Sequence, residues 1–226
     1  MSNIFGLFGK IPSVGDFFRN NVPSGFVSVW DPWVQQNMLA AEKASGGAWD
    51  AAYMSAPIWR FTLSEGLAGP SKMMGVLMPS VDRVGRRFPL TIMAPIPWHG
   101  PAALDHLSQD EVFGWLEEVA LSALSEDMTK DRLEAEALKL PGPLRPKPIH
   151  VYRDGTSIAI GQGGDGALTA ELSAAALPGP RNGVSLWTCY VEDVRRMIVT
   201  EGLPRGIEGR ALFDTQALIW SRTRPE

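Results

Sequence analysis

The stretch Gly75-Val76-Leu77-Met78-Pro79-Ser80-Val81-Asp82-Arg83-Val84-Gly85-Arg86-Arg87-Phe88-Pro89-Leu90 decides how this chain folds. Two apolar, strand-like runs, Gly75–Met78 and Leu90–Ile96, flank a loop with one acid and three arginines. A sheet core excludes such a charge density, because unpaired charge is costly away from water. The loop therefore belongs at the rim, held by buried strands on both sides. Gly75–Met78, apolar throughout, reads as a central strand. Pro95 confines the far end of Leu90–Ile96 to an edge or a strand terminus.

Working outward, Ile4–Lys10 reads as a first strand, ended by Pro12. Phe26, Trp30, Trp33, Val34, Met38 and Ala41 recur at helical spacing, with Asp31 as expected N-cap and Pro32 at the first helical position. Gly46-Gly47 stops this helix, and a short amphipathic piece, Trp49–Met54, follows. Trp59, Phe61 and Leu63 alternate with Arg60 and Thr62, the pattern of a half-buried strand. Ser108-x-x-Glu111 reads as a capping box opening a helix that buries Val112, Trp115, Leu116, Val119 and Ala123. Another helix spans about Thr129–Leu140.

Four prolines between Pro141 and Pro148 make a stiff connector and a candidate subdomain break within a single domain, 1–226. Beyond it, Ile149–Arg153 and Thr156–Ile160 flank Asp154-Gly155, a two-residue hairpin signal. Val184–Val191 and Arg196–Thr200 read as strands. Glu208–Ser221 reads as a last helix burying Leu212, Phe213 or Gln216, Ile219 and Trp220. Strand pairs mixed with terminal helices predict an α/β (α+β) fold, a largely antiparallel β-sheet flanked by helices, and not a regular βαβ series.

The 226 residues are 45% hydrophobic and 20% charged, enough for a packed core, and mean hydropathy is near zero. A formal net charge of −4 gives no basic excess for nucleic acid. Residues 101–140 carry ten acids against three bases, which leaves the remainder at +3; a solvated helical face accounts for this. The single cysteine, Cys189, excludes an internal disulfide and reads as a small buried hydrophobe. No signal peptide and no run of about 20 apolar residues is present, so a cytoplasmic protein without direct membrane insertion is expected.

Nothing in the chain has catalytic or metal-binding spacing. Gly161-Gln162-Gly163-Gly164-Asp165-Gly166 matches G-x-G-x-x-G, but its preceding strand belongs to a hairpin and too little chain follows for a doubly wound sheet. It reads as a glycine-rich surface loop. Gly9-Lys10 lacks the earlier glycine and the following hydroxyl of a phosphate loop, since Ile4 and Ile11 stand there. His99, His106 and His150 are scattered without a metal partner. The expectation is no cofactor, no metal and no catalytic residue.

Asp82, Arg83, Arg86 and Arg87 have two readings. Asp82 caps the turn and pairs with Arg83 or Arg86, or the guanidinium groups face a partner's carboxylate, phosphate or carbonyl. Asp16 belongs to either network if it lies near the loop. Trp98, beside His99-Gly100-Pro101, is a candidate for exposure and partner binding.

Three segments in order, Gly9-Lys10-Ile11-Pro12-Ser13-Val14-Gly15-Asp16-Phe17, Pro57-Ile58-Trp59-Arg60-Phe61 and Met78-Pro79-Ser80-Val81-Asp82-Arg83-Val84-Gly85-Arg86-Arg87-Phe88-Pro89, resemble the TagF/ImpM family of type VI secretion accessory proteins. Asp31-Pro32-Trp33 meets the Asp-x-Trp of that family, and Ser185-Leu186-Trp187 and Gly202-Leu203-Pro204 resemble its second half more loosely. The resemblance implies a longin or profilin-like α/β sandwich. It also implies a non-enzymatic, post-translational repressor of apparatus assembly or firing, bound to the forkhead-associated scaffold protein of that system. Two alternatives of other classes stand beside it. One is a hydrolase or phosphotransfer enzyme using Asp82 or Asp16 with the arginines; the other is a structural subunit of the machine.

Overall fold

The computed structural model describes residues 5–146, 150–153, 158–161 and 183–221. In chain order the main elements are β1 (Gly6–Gly9), β2 (Phe18–Asn20), α1 (Phe26–Ser45), α2 (Trp49–Met54), β3 (Trp59–Leu63), β4 (Lys72–Met78), β5 (Leu90–Ile96), α3 (Ala102–Ser108), α4 (Asp110–Ser122) and α5 (Lys130–Lys139). There follow β6 (His150–Arg153), β7 (Ile158–Gly161), β8 (Val184–Val191), β9 (Val194–Glu201) and α6 (Gly206–Ala211). Seven strands form one sheet in the order β2-β1-β5-β4-β3-β8-β9, and every pairing in it is antiparallel. β6 and β7 pair separately. The fold is an antiparallel sheet covered by helices on both faces, as the strand and helix pattern predicts.

β4 is the middle strand, and all seven of its residues are buried. Its side chains alternate between two cores. Met73 and Leu77 join the aromatic cluster under α1, α2 and α6, whereas Met74, Val76 and Met78 join the aliphatic cluster under α4 and α5. On the aromatic side, Trp30 lies 4.8 Å from Phe61, 4.6 Å from Trp33 and 5.9 Å from Trp187, centroid to centroid. Their buried indoles find acceptors: Trp30 donates to Thr91 Oγ1, Trp33 to Pro204 O, Trp59 to Leu212 O and Trp187 to Ser185 Oγ. Gly75 makes room for this cluster. A Cβ there would stand 2.1 Å from Ile92 O and 2.8 Å from the Phe61 ring.

Several elements depart from the sequence reading for identifiable reasons. The first long helix starts at Phe26 behind Gly25 and carries Pro32 inside it, not at its first position after Asp31. Burial of Phe26 and Trp30 outweighs the lost hydrogen bond, and the exposed Ser28 turn leaves the orphaned carbonyl to water. Ser108 ends α3 and makes no cap, so the capping box is not formed; α4 begins behind Gln109, whose side chain instead bonds Leu144 N and O. Within α4, Phe113 takes the buried place expected for Trp115, which is half-buried.

β3 is buried at all five positions and not half-buried, because α3 and α4 cover the face carrying Arg60 and Thr62. β6 and β7 pair as an antiparallel hairpin with Arg153 opposite Ile158, and the expected Asp154-Gly155 turn lies in residues 154–157, outside the described residues. The expected helix 208–221 is the short α6, a turn, and a 3₁₀ turn at Leu218–Trp220. Asp214 breaks it by accepting from Gln216 N and holding Arg210. Leu212 and Phe213 are buried as expected, while Gln216 is exposed. Cys189 is buried, and burial pushes its thiol up to about 12. Most of the glycine-rich run 161–166 and of the connector's end, 147–149, lies outside the described residues.

Candidate functional site

The β4–β5 connection closes as a small hairpin beyond the sheet. Phe88 N donates to Ser80 O, Asp82 N to Arg86 O, and Gly85 N to Asp82 O, while Val81 bridges Arg87. Gly85 takes φ 82°, the left-handed region that favours glycine in such a turn. Two separate parts of the chain hold this hairpin from outside. Tyr53 of α2 donates its hydroxyl to Ser80 O at 2.8 Å and accepts from Ser80 N. Asp50, on the same helix, pairs with Arg87. From the other side, Arg83 N donates to Val14 O, and the Arg86 guanidinium donates to Gly15 O at 2.7 Å.

Asp82 is the internal knot. Its side chain is fully buried, and its Oδ1 accepts from Val84 N at 3.1 Å and Arg86 N at 2.9 Å. Oδ2 accepts from Lys10 Nζ at 2.9 Å and Arg86 Nε at 2.6 Å. Burial alone would raise this carboxyl. The Lys10 ammonium, the Arg86 N–H, the Arg86 guanidinium and the Val84 N–H outweigh it and hold the group well below the usual carboxylate range. Asp82 is thus an ionised structural brace.

The sequence-named residues divide into two sets. Asp82 and Arg86 meet directly, and Arg86 still leaves its side chain 61% exposed. Arg87 turns toward α2. Arg83 and Asp16 are exposed, and neither forms a side-chain ion pair among the described residues. Val84 (70% exposed) and Phe17 (48% exposed) lie on the same rim, with Phe17 stacked edge-on to buried Phe88 at 4.6 Å. Trp98 does not join this loop. It is half-buried and donates to Asp105 Oδ1 at 2.7 Å, so it is not the exposed residue expected from its neighbours.

Lys10 is the member that sequence reasoning missed. A lysine ending an apolar strand reads as a solvent-facing terminus, yet here it is buried beside Asp82 and 5.3 Å from the Phe17 ring. Its signal was present: an apolar strand ending in a cation, in a chain with an acid in an otherwise basic loop. Among the described residues no cluster of His, Cys, Asp and Glu has the arrangement of a metal site.

An antiparallel sheet with a braced hairpin between its central strands defines the class structurally, and comparison with known proteins places it. The model of the TagF N-terminal domain, type VI secretion system-associated, matches residues 6–140, and the chain belongs to that family. The structure is similar to the crystal structure of PA0076 from Pseudomonas aeruginosa PAO1, with a TM-score of 0.77 and 28% identity over 98% of this chain and 97% of that one. Among curated proteins no match is found. This is a type VI secretion-associated protein.

Proposed function

We propose that this chain works by binding and catalyses no reaction, as a post-translational repressor of type VI secretion apparatus assembly or firing. Its partner in this reading is the forkhead-associated scaffold protein of the system, met in the cytoplasm. The observation that carries the reading is the internal bracing of the loop. With Asp82 satisfied by four donors, Arg83, Val84 and Arg86 are presented on a hairpin that costs little to order on binding. Guanidinium groups on a fixed support suit carboxylate or phosphate oxygens of a partner. Of the two acids the phosphotransfer alternative could use, Asp82 has no solvent exposure and is held by four donors, which leaves that reading only the exposed Asp16. No helix among the described residues is long and apolar enough to cross a membrane, which agrees with a partner met outside the bilayer.

The test is Arg83→Glu with Val84→Asp, at two exposed side chains outside the brace. Capture of the scaffold protein is expected to be lost while the melting temperature stays within a few degrees. A well-folded variant that still binds and still represses secretion removes the loop from the account.

A further inference from the structure

The two edges of the seven-stranded sheet are built differently. β2 is three residues long and is followed closely by Pro23. β9 runs for eight residues with neither proline nor lysine, and no strand among the described residues lies outside it. It exposes Val194 (62%), Met197 (43%) and Val199 (37%). An eight-residue edge that no described strand covers, and that mixes exposed apolar with charged side chains, is a template for another strand through its outward N–H and C=O groups.

The order of side chains along β9 says which strand. Its sequence is Val194-Arg195-Arg196-Met197-Ile198-Val199-Thr200-Glu201. A two-fold axis normal to the sheet pairs β9 antiparallel with itself and keeps each face on its own side, so opposed residues must share parity. Setting Ile198 opposite itself places Arg195 across from Glu201, Met197 across from Val199, and Arg196 across from Thr200. Sliding by two residues either way sets Arg195 against Val199 or Glu201 against Met197, and the charge match is lost. Arg195 lies 6.0 Å from the ring of Tyr190, its cross-strand partner on β8, which keeps it on this face of the sheet. The same register brings Val194 of the second copy against Gly202, beside the cleft lined by Leu203, Arg205 and Glu208.

We infer that β9 is a self-complementary edge and that its partner is a second copy of this chain, joined into a continuous fourteen-stranded sheet. The interface is isologous: each Arg195–Glu201 contact occurs twice. An edge of this length lies at the small end of specific interfaces, so association in the micromolar range is expected.

The experiment is sedimentation equilibrium of the full chain across a concentration series, on wild type, Arg195→Glu, Glu201→Arg and the double variant. Each single change sets like charges opposite twice and is expected to weaken the dimer about tenfold, while the double variant restores opposite charges and returns to within about threefold of wild type. Circular dichroism melts establish that all four are folded. A monomer throughout, or a dimer indifferent to the swaps, overturns the proposal. So does a double variant that stays as weak as the singles.

Discussion

The two faces of the central sheet keep water out by opposite means. Under α1 and α6 the face is aromatic, with Phe26, Trp30, Trp33, Phe61 and Trp187 in mutual contact. The opposite face buries an aliphatic cluster under α4 and α5 and, beside it under α3 and α4, paired charge. Arg60 meets Glu117 at 2.7 Å and Asp110 at 2.6 Å, and Lys72 pairs with Asp105, which also accepts from Trp98. Between them His106 bonds Thr62 and Thr188 at 3.0 and 2.9 Å. Burial works against the Arg60 charge, but its two carboxylate partners outweigh that and raise its pKa. An aromatic face tolerates losing contact area by degrees; a paired face fails when one partner is removed and the other charge is stranded.

The largest effect is expected from Trp30→Ala, which empties the centre of the aromatic cluster and should cost about 3–5 kcal/mol in chemical denaturation. A loss below about 1 kcal/mol would mean that the cluster does not hold this face. Asp105→Ala strands Lys72 and should cost about 3 kcal/mol, while Lys72→Met with Asp105→Leu recovers most of it. Should the double variant be no better than the single, packing and not the stranded charge is what matters there.

His106 supplies a pH test of the same face. Burial, then the positive charges of Arg195 and Arg60, lower its pKa from the ordinary value near 6.5 to about 3. Between those values the unfolded chain takes up a proton that the folded chain refuses, so stability falls as pH drops. From pH 7 to pH 5 the loss is about 2 kcal/mol. Carboxylates held low, such as Asp82, contribute only below about pH 4–5. His106→Gln is expected to flatten the slope between pH 7 and 5; an unchanged slope would assign it to other groups. The smallest effect comes from Lys139→Ala, which removes an exposed pair with Glu136 and should shift stability by less than about 0.5 kcal/mol. A larger loss would blur the distinction between surface pairs and the buried ones.

The difference between the faces also explains which elements were legible. β1, β4, β5, β8 and α5 follow from apolar runs, prolines and helical spacing, and the structure adds the Thr129 cap of α5, whose hydroxyl accepts from Arg132 N. Arg60 and Thr62 were misread as a solvent face, because alternation alone cannot distinguish a polar residue in water from one paired beneath a helix. The last helix failed for a related reason: its apolar spacing is helical, but Asp214 and the Trp59–Leu212 contact bend it to seat Leu212 and Phe213.

The sequence by itself determined an antiparallel sheet with helices, the family, and a charged loop at the rim between two central strands. The sheet and the rim loop rest on local periodicity and on the cost of burying unpaired charge, both readable residue by residue, and the family rests on the resemblance of its motif residues. Tertiary structure alone decided that Lys10 and Arg86 share Asp82, that Trp98 belongs to Asp105, and that Arg60 and Lys72 lie inside. Pairings across 72 positions, as between Lys10 and Asp82, leave no local pattern; they arise only when strands distant in sequence become neighbours and exclude the water that would otherwise separate the charges.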